Sequence, residues 1–218
     1  MDTVEALKAP MLDEHWLKKV LLGGVLLLIP IVSLTVYGYI LRTTRMAALG
    51  EGKLPEWNEW RGLFVGGLKL LVLSLLYLLI PILVLLALLF ATDYSYSDGY
   101  AGLVVPLAVY ILLAVVATFF LSMAAVKLAV SNSLRESLRV GGVCRRMKIV
   151  FNDFLRGFVL ALLIIVALYA LPKLSAIGAM SIELAIVLTL VSVFLLFYFS
   201  LAFAILFGRL YALAEATQ

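Results

Sequence analysis

Histidine and cysteine are nearly absent from this sequence of 218 residues, which contains one of each, His15 and Cys144. A single cysteine cannot form a disulfide within the chain, and a single histidine excludes zinc sites that need a histidine pair. No nucleophilic-serine or phosphate-loop motif occurs. An enzyme would require a carboxylate pair at a cavity, for which Asp153 with Glu59 is the one candidate. We therefore predict that the protein is not an enzyme and uses no metal or other cofactor.

Charged residues are also scarce, at 14% of the chain against about 25% in soluble domains. Apolar residues reach 65%, more than a water-soluble chain of this size could cover with polar surface. They form long runs, and about 20 such residues cross a bilayer as a helix whose backbone groups pair internally. The sequence thus predicts an all-α, polytopic membrane bundle in a single membrane domain, 1–218. Its predicted membrane segments are 20–41, 63–90, 103–126, 154–171 and 182–207.

The placement of charge predicts the topology. Basic residues crowd the loops at 42–69 and 127–156, whereas only Asp93 and Asp98 carry charge between the second and third runs. Basic loops remain in the cytoplasm, so the acidic loop faces outward and the C-terminus is predicted to be cytoplasmic.

The first apolar segment, 20–41, allows two interpretations. Its length favours a spanning helix, which would place the N-terminus outside. Basic residues on both flanks favour a segment that enters and returns on the same side, with Pro30 at the bend of the hairpin. Four spanning helices are therefore predicted together with a first segment that either spans or re-enters. Residues 1–19 are predicted to lie at the membrane interface.

The basic stretch 127–153 is amphipathic, with Leu134 and Leu138 on one helical face. Gly141 and Gly142 indicate a break within it. The stretch is predicted either to form interfacial helices on the cytoplasmic headgroup layer or to extend the neighbouring helices into the cytoplasm.

The basic residues beside the membrane segments have the distribution expected for binding anionic lipid and not nucleic acid. We therefore expect membrane lipids as partners, anionic on the cytoplasmic face. The predicted headgroup contacts are Lys18, Lys19, Arg42, Arg45, Arg135, Arg139, Arg145, Arg146 and Lys148.

Small residues recur every fourth position on three of the predicted spans. This spacing lets helix backbones approach closely in lipid, within one chain or between chains of a homo-oligomer, which we also expect. The predicted helix-packing residues are Gly62, Gly66, Ala114, Thr118, Ser122, Ser200, Ala204 and Gly208.

Ionisable residues are missing from the centres of the spans, which argues against a proton-coupled transporter. Hydroxyl groups are present there and could line a path for a neutral substrate or a lipid. Alternatively, each bonds the backbone of its own or a neighbouring helix. These hydroxyls belong to Ser74, Tyr77, Thr118, Ser122, Thr189, Ser192 and Ser200.

Several short motifs occur in a distinctive order, among them Trp16-Leu17-Lys18-Lys19, Ile29-Pro30-Ile31 and Leu54-Pro55-Glu56-Trp57. With them, the chain resembles the prokaryotic membrane family catalogued as domain of unknown function 4013, most specifically over about residues 10–85. The resemblance implies the plasma membrane of a bacterium or an archaeon. It implies no activity and no functional residues.

The functional prediction is a non-enzymatic protein that organises or scaffolds the membrane as a homo-oligomer. It is motivated by the missing chemistry, by the possible one-sided hairpin at Pro30 and by the basic amphipathic stretch, since structures inserted in one leaflet favour curvature. The alternative is a carrier of small molecules or lipids, or an accessory subunit of a larger transporter.

Overall fold

The computed structural model describes residues 3–91, 101–177 and 182–216. The side chains of residues 3, 4, 6, 101, 140–149 and 174–177 are not among those described. The acidic residues Asp93 and Asp98 lie outside the described residues.

The described chain is built from helices, which confirms the all-α prediction. A short 3-10 helix, Ala9–Leu12, follows α1, and the remaining elements are α-helices. The α-helices are α1 (Thr3–Lys8), α2 (Trp16–Leu27), α3 (Ser33–Ala48), α4 (Trp60–Ala91), α5 (Ala101–Ser131), α6 (Leu134–Ser137), α7 (Val140–Ile177) and α8 (Ile182–Ala216).

Four of these helices are long and apolar enough to cross a membrane, as predicted. They are α4, α5, α7 and α8, with mean hydropathies of 2.5 to 3.0 over their most apolar stretches. Helices α4 and α5 are mostly exposed, whereas 56% of the apolar stretch of α8 is buried. Helix α8 therefore forms the centre of the bundle, and the apolar surfaces of α4 and α5 are suited to contact lipid.

The first apolar segment is not one helix but two, α2 and α3, separated by a turn that contains Pro30. Lys19 near the start of α2 donates a hydrogen bond to the carbonyl of Leu54, which follows the end of α3 at Ala48. The outer ends of the two helices therefore lie together. Within the protein, α2 and α3 form a hairpin, and we refer to residues 16–48 by that name.

Helix α3 lies between α4 and α8. It runs antiparallel to α4, since Gly38 lies against Leu63 and Gly67 lies against Leu34. It runs parallel to α8, since Tyr39 contacts Phe197 and Thr44 contacts Gly208. The start of α4, the end of α8 and the open end of the hairpin thus share one end of the molecule, which we call the basic end.

The stretch 127–153 differs from the expected break at Gly141-Gly142. Helix α5 continues to Ser131 and ends at Asn132, whose φ of 53° lies in the left-handed region. Helix α7 then runs through both glycines and is kinked at Val150. The prediction of a break at the glycine pair was wrong. The break lies earlier, at Asn132, because asparagine tolerates the left-handed conformation that terminates a helix.

Candidate functional site at the basic end

A buried ion pair holds the hairpin at its open end. The Lys19 ammonium lies 3.0 Å from Asp13 Oδ2, and both side chains are buried. Lys19 also lies 2.7 Å from Glu56 Oε1, which is exposed. A buried charge is tolerated when it is paired and hydrogen-bonded, and both conditions are met here.

The backbone of residue 54 completes this pair. Asp13 Oδ2 accepts a hydrogen bond of 3.2 Å from the Leu54 amide, and the Leu54 carbonyl accepts one of 3.0 Å from Lys19 Nζ. Asp13 Oδ1 accepts the amide of His15 at 2.9 Å. Three chain segments, before α2, within α2 and after α3, are therefore joined through two side chains.

Both groups are charged at neutral pH. Burial alone would lower the pKa of Lys19, but its hydrogen bonds to Glu56 and Asp13 outweigh burial and raise this pKa. Burial alone would raise the pKa of Asp13, yet the hydrogen bonds from Lys19 and the His15 amide lower it overall. The ion pair is therefore present in its charged form across the physiological pH range.

Aromatic rings extend the same contact. Trp57 stacks on Tyr39 with ring centroids 4.0 Å apart and donates from Nε1 to the Lys19 carbonyl at 3.2 Å. The Tyr39 hydroxyl donates to the Pro55 carbonyl at 2.7 Å. The Leu-Pro-Glu-Trp motif thus clamps α2 and α3 together. We call Asp13, Lys19, Tyr39 and residues 54–57 the latch.

Lys19 was predicted to contact lipid headgroups, and this prediction was wrong. Its side chain is buried in the latch, while the neighbouring Lys18 is exposed. The sequence does not show which of two adjacent lysines is buried, because Lys19 bonds to the Leu54 carbonyl, 35 positions away along the chain.

A second cluster lies on the α4 side of α3. A cavity of about 190 Å³ is lined there by three cations, Arg42, Arg45 and Lys69. Glycines 38, 62 and 66 form part of its wall and leave the cavity open. We call this cavity the basic pocket. Two of its three cations, Arg42 and Arg45, are among the predicted headgroup contacts.

Two residues with left-handed backbones bind two of the three cations of this pocket. Glu59, with a φ of 52°, forms an ion pair with Arg42. Lys69 Nζ donates to Asn132, at 2.9 Å to Oδ1 and 3.1 Å to the carbonyl. A left-handed backbone at a residue such as glutamate is strained, and strain of this kind concentrates at functional sites. Arg45 is exposed and has no polar contact among the described residues.

Two of the other predicted headgroup residues, Arg135 and Arg139, do not line this pocket. Arg135 and Arg139 are exposed, on α6 and just after it. Arg145, Arg146 and Lys148 belong to α7, but their side chains lie outside the described residues.

On α4, Gly62 and Gly66 were expected to pack closely against another helix, but within the chain the close approach is at Gly67. Gly62 is exposed and lines the basic pocket, and a Cβ there would have no heavy atom nearer than 3.9 Å. A Cβ on Gly66 would make an ordinary 3.6 Å contact with Gly38 Cα. The tight position is Gly67, where a Cβ would lie 1.8 Å from the Leu34 carbonyl oxygen. Within the chain, Gly62 thus makes no close helix contact, and its packing between chains stays a prediction. On α8, Gly208 lies against the Thr44 carbonyl.

A central cavity of about 290 Å³ lies between α3, α4, α5, α7 and α8. Four of the small residues predicted to pack helices line it, namely Thr118, Ser122, Ser200 and Ala204. Ala114 is half-buried one turn before Thr118 on α5.

Most of the hydroxyls considered for a transport path bond their own helix. Each of these five donates to the carbonyl four residues earlier: Ser74, Thr118, Ser122, Thr189 and Ser200. Their hydrogen-bonding donors are therefore satisfied within the helix, which matches the second of the two interpretations. Ser192, by contrast, is buried with no hydrogen-bond partner in the described chain.

The described residues contain no group of three or more metal-ligating side chains. Glu59 pairs with Arg42, whereas Asp153 lies 4.0 Å from Arg156 of its own helix. The two carboxylates therefore serve separate contacts.

The four apolar helices define the chain as a multi-pass helical membrane protein. The model of the family described as protein of unknown function (DUF4013) matches residues 21–174, so the chain belongs to this family. The match includes α3 and the Leu-Pro-Glu-Trp part of the latch. No curated protein and no solved structure matches the chain.

Proposed function

We propose that this protein organises the membrane by holding the hairpin as a wedge in the cytoplasmic leaflet. Helices α2 and α3 contain 12 and 16 residues and are about 18 and 24 Å long, so each is shorter than a hydrocarbon core of roughly 30 Å. A hairpin of this length that enters and returns on one side displaces lipid in one leaflet. One-sided insertion favours membrane curvature.

The observation that carries the proposal is the pairing of the latch with an exposed apolar tip. The latch joins both ends of the hairpin at the basic end, next to the loops that the positive-inside rule assigns to the cytoplasm. At the turn, Ile29 is 46% exposed and Ile31 is 74% exposed. Large exposed apolar side chains beside four spanning helices are suited to contact lipid. A homo-oligomer would concentrate such wedges in one patch of membrane.

Reconstitution into vesicles tests this function. We expect the wild-type protein at high density to convert large vesicles into small or tubular ones, as seen by electron microscopy. Replacing Ile29 and Ile31 with lysine should abolish this effect, because charge is costly in hydrocarbon. Leu49→Lys is the matched control, since Leu49 is 62% exposed but lies at the basic end, outside the tip. Unchanged vesicles at high wild-type density would refute the proposal.

The sidedness of the hairpin is tested by labelling with a membrane-impermeant maleimide. In a Cys144→Ser background, single cysteines replace Lys8, before the hairpin, and Lys53, after it. Both side chains are exposed. We expect both cysteines to react only after cell lysis, whereas a cysteine at Ser97 reacts in intact cells. Reaction of the Lys8→Cys variant in intact cells, with Lys53→Cys protected, would mean that residues 16–48 cross the membrane.

The central cavity favours a second candidate, a carrier or accessory subunit for an apolar or lipid substrate. Its volume of about 290 Å³ is at the lower limit for a small-molecule site. Filling it by Ser122→Leu should block transport and leave vesicle shaping intact, so the two functions are separable by one variant.

A further inference from the structure

We infer that the basic pocket is a binding site for the phosphate group of one anionic phospholipid. This inference goes beyond the wedge function and does not depend on it, since a lipid can occupy the pocket whether or not the hairpin bends the membrane. It concerns a defined site with a stoichiometry of one, in contrast to diffuse attraction between a basic surface and a charged bilayer.

The charges around the pocket leave it positive. Glu59 offsets the charge of Arg42, but the only described contacts of Lys69 are to the uncharged Asn132. Arg45 has no described polar contact. Two positive charges, on Arg45 and Lys69, are thus uncompensated at one cavity. Guanidinium groups bind phosphate oxygens in a bidentate manner, and an ammonium has a third donor beyond the two bonds to Asn132.

The geometry is that of a preformed site. Lys69 is held at two points by Asn132, and Arg42 is held by Glu59 and by a 2.7 Å bond to Asn58 Oδ1. Binding to groups that are already ordered costs less side-chain entropy. The strained backbone of Glu59 is consistent with this role, because its side chain positions Arg42.

The surroundings select a lipid over a free phosphate. Leu63 and Leu128 form part of the pocket wall, and Leu41 lines both the basic pocket and the central cavity. An acyl chain therefore finds apolar wall directly beside the phosphate site. The pocket also lies where α4 begins and α5 ends, at the level of the predicted headgroup layer.

Native mass spectrometry of the full chain in detergent, titrated with dioleoyl phosphatidylglycerol or dioleoyl phosphatidylcholine, tests the inference. We expect one phosphatidylglycerol to be retained with an affinity about tenfold above that for phosphatidylcholine, as for one strong charge-assisted contact. Arg45→Ala should remove most of this preference. Arg61→Ala is the matched control, because Arg61 is also exposed at the basic end but does not line the pocket.

A steric variant tests the pocket without changing any charge. A Cβ on Gly62 would lie 4.0 Å from an Arg42 guanidinium nitrogen, so Gly62→Leu fills the pocket while the helix itself tolerates leucine. We expect it to weaken phosphatidylglycerol binding about tenfold, and Gly52→Leu, at an exposed loop glycine with open space around it, to have no effect.

Three results would overturn the inference. Equal loss of affinity in Arg45→Ala and Arg61→Ala would indicate diffuse surface charge. Unchanged binding in Gly62→Leu would place the lipid elsewhere. Complete displacement of the lipid by millimolar inorganic phosphate would indicate a site for the free anion.

Discussion

Replacing Lys19 with methionine is expected to lower the free energy of unfolding by about 3 kcal/mol, because breaking a buried ion pair leaves an uncompensated charge. The charge left behind is that of Asp13, which is 7% exposed. The two backbone amides that Asp13 accepts remain, so part of its stabilisation survives. The measurement is reversible unfolding of the purified protein in mixed micelles. We also expect the Leu-Pro-Glu-Trp segment to become accessible to proteases.

Lys18→Met provides the control for this variant. It makes the same chemical change and removes the same charge one residue earlier, at an exposed position. Surface charges of this kind contribute about 0 to 1 kcal/mol. The double variant Asp13→Asn with Lys19→Met should recover part of the lost free energy of unfolding, since neither member of the pair then carries a charge. Equal stability of the Lys18 and Lys19 variants would show that the latch does not hold the hairpin.

Gly67→Ala is expected to cost about 3 kcal/mol, the upper end of the range for overpacking. The added Cβ would lie 1.8 Å from the carbonyl oxygen of Leu34, and this neighbour is backbone and cannot rotate away. Helices α3 and α4 must therefore separate. The same unfolding assay measures the effect. Gly38→Ala should behave alike, because its Cβ would lie 1.8 Å from the Leu63 carbonyl oxygen.

The neighbouring glycine is the matched control. A Cβ on Gly66 would make only an ordinary contact of 3.6 Å. Alanine favours the helix over glycine by about 1 kcal/mol, so Gly66→Ala should be neutral or slightly stabilising. If Gly66→Ala and Gly67→Ala had the same effect, the close α3–α4 packing described above would be incorrect.

Much of the architecture was predictable because it depends on local composition. The transfer of about 20 apolar residues into hydrocarbon is favourable wherever those residues pack, so the runs themselves predict four spanning helices. A bend at Pro30 was one of two alternatives, since proline disrupts a helix and the flanks of the segment carry charge, whereas the length of the segment favoured one spanning helix. The sequence left open whether the segment spans the membrane or re-enters it. In the structure the latch brings the two ends of the segment together, and the re-entrant topology stays a prediction.

The candidate sites could be predicted only in part. Arg42 and Arg45 were expected near headgroups, but nothing in the local pattern joined them to Lys69, whose contacts to Asn132 bridge 63 positions. The left-handed backbone of Glu59 had no sequence signal, because glutamate does not favour that conformation. The buried role of Asp13 was likewise missed, since an acidic residue beside an apolar segment is normally exposed.

The sequence by itself determined that the long apolar segments lie in the lipid bilayer and that they are helical. The free energy of transfer into lipid and the pairing of backbone groups both depend on the segment itself and not on its neighbours. Only the tertiary structure decided which of two equivalent residues is packed against another part of the chain. Lys18 and Lys19 are chemically identical, as are Gly66 and Gly67, yet one member of each pair is buried against a distant segment. Burial of a charge and exclusion of a Cβ depend on atoms from elsewhere in the chain, and that information exists only once the helices have packed.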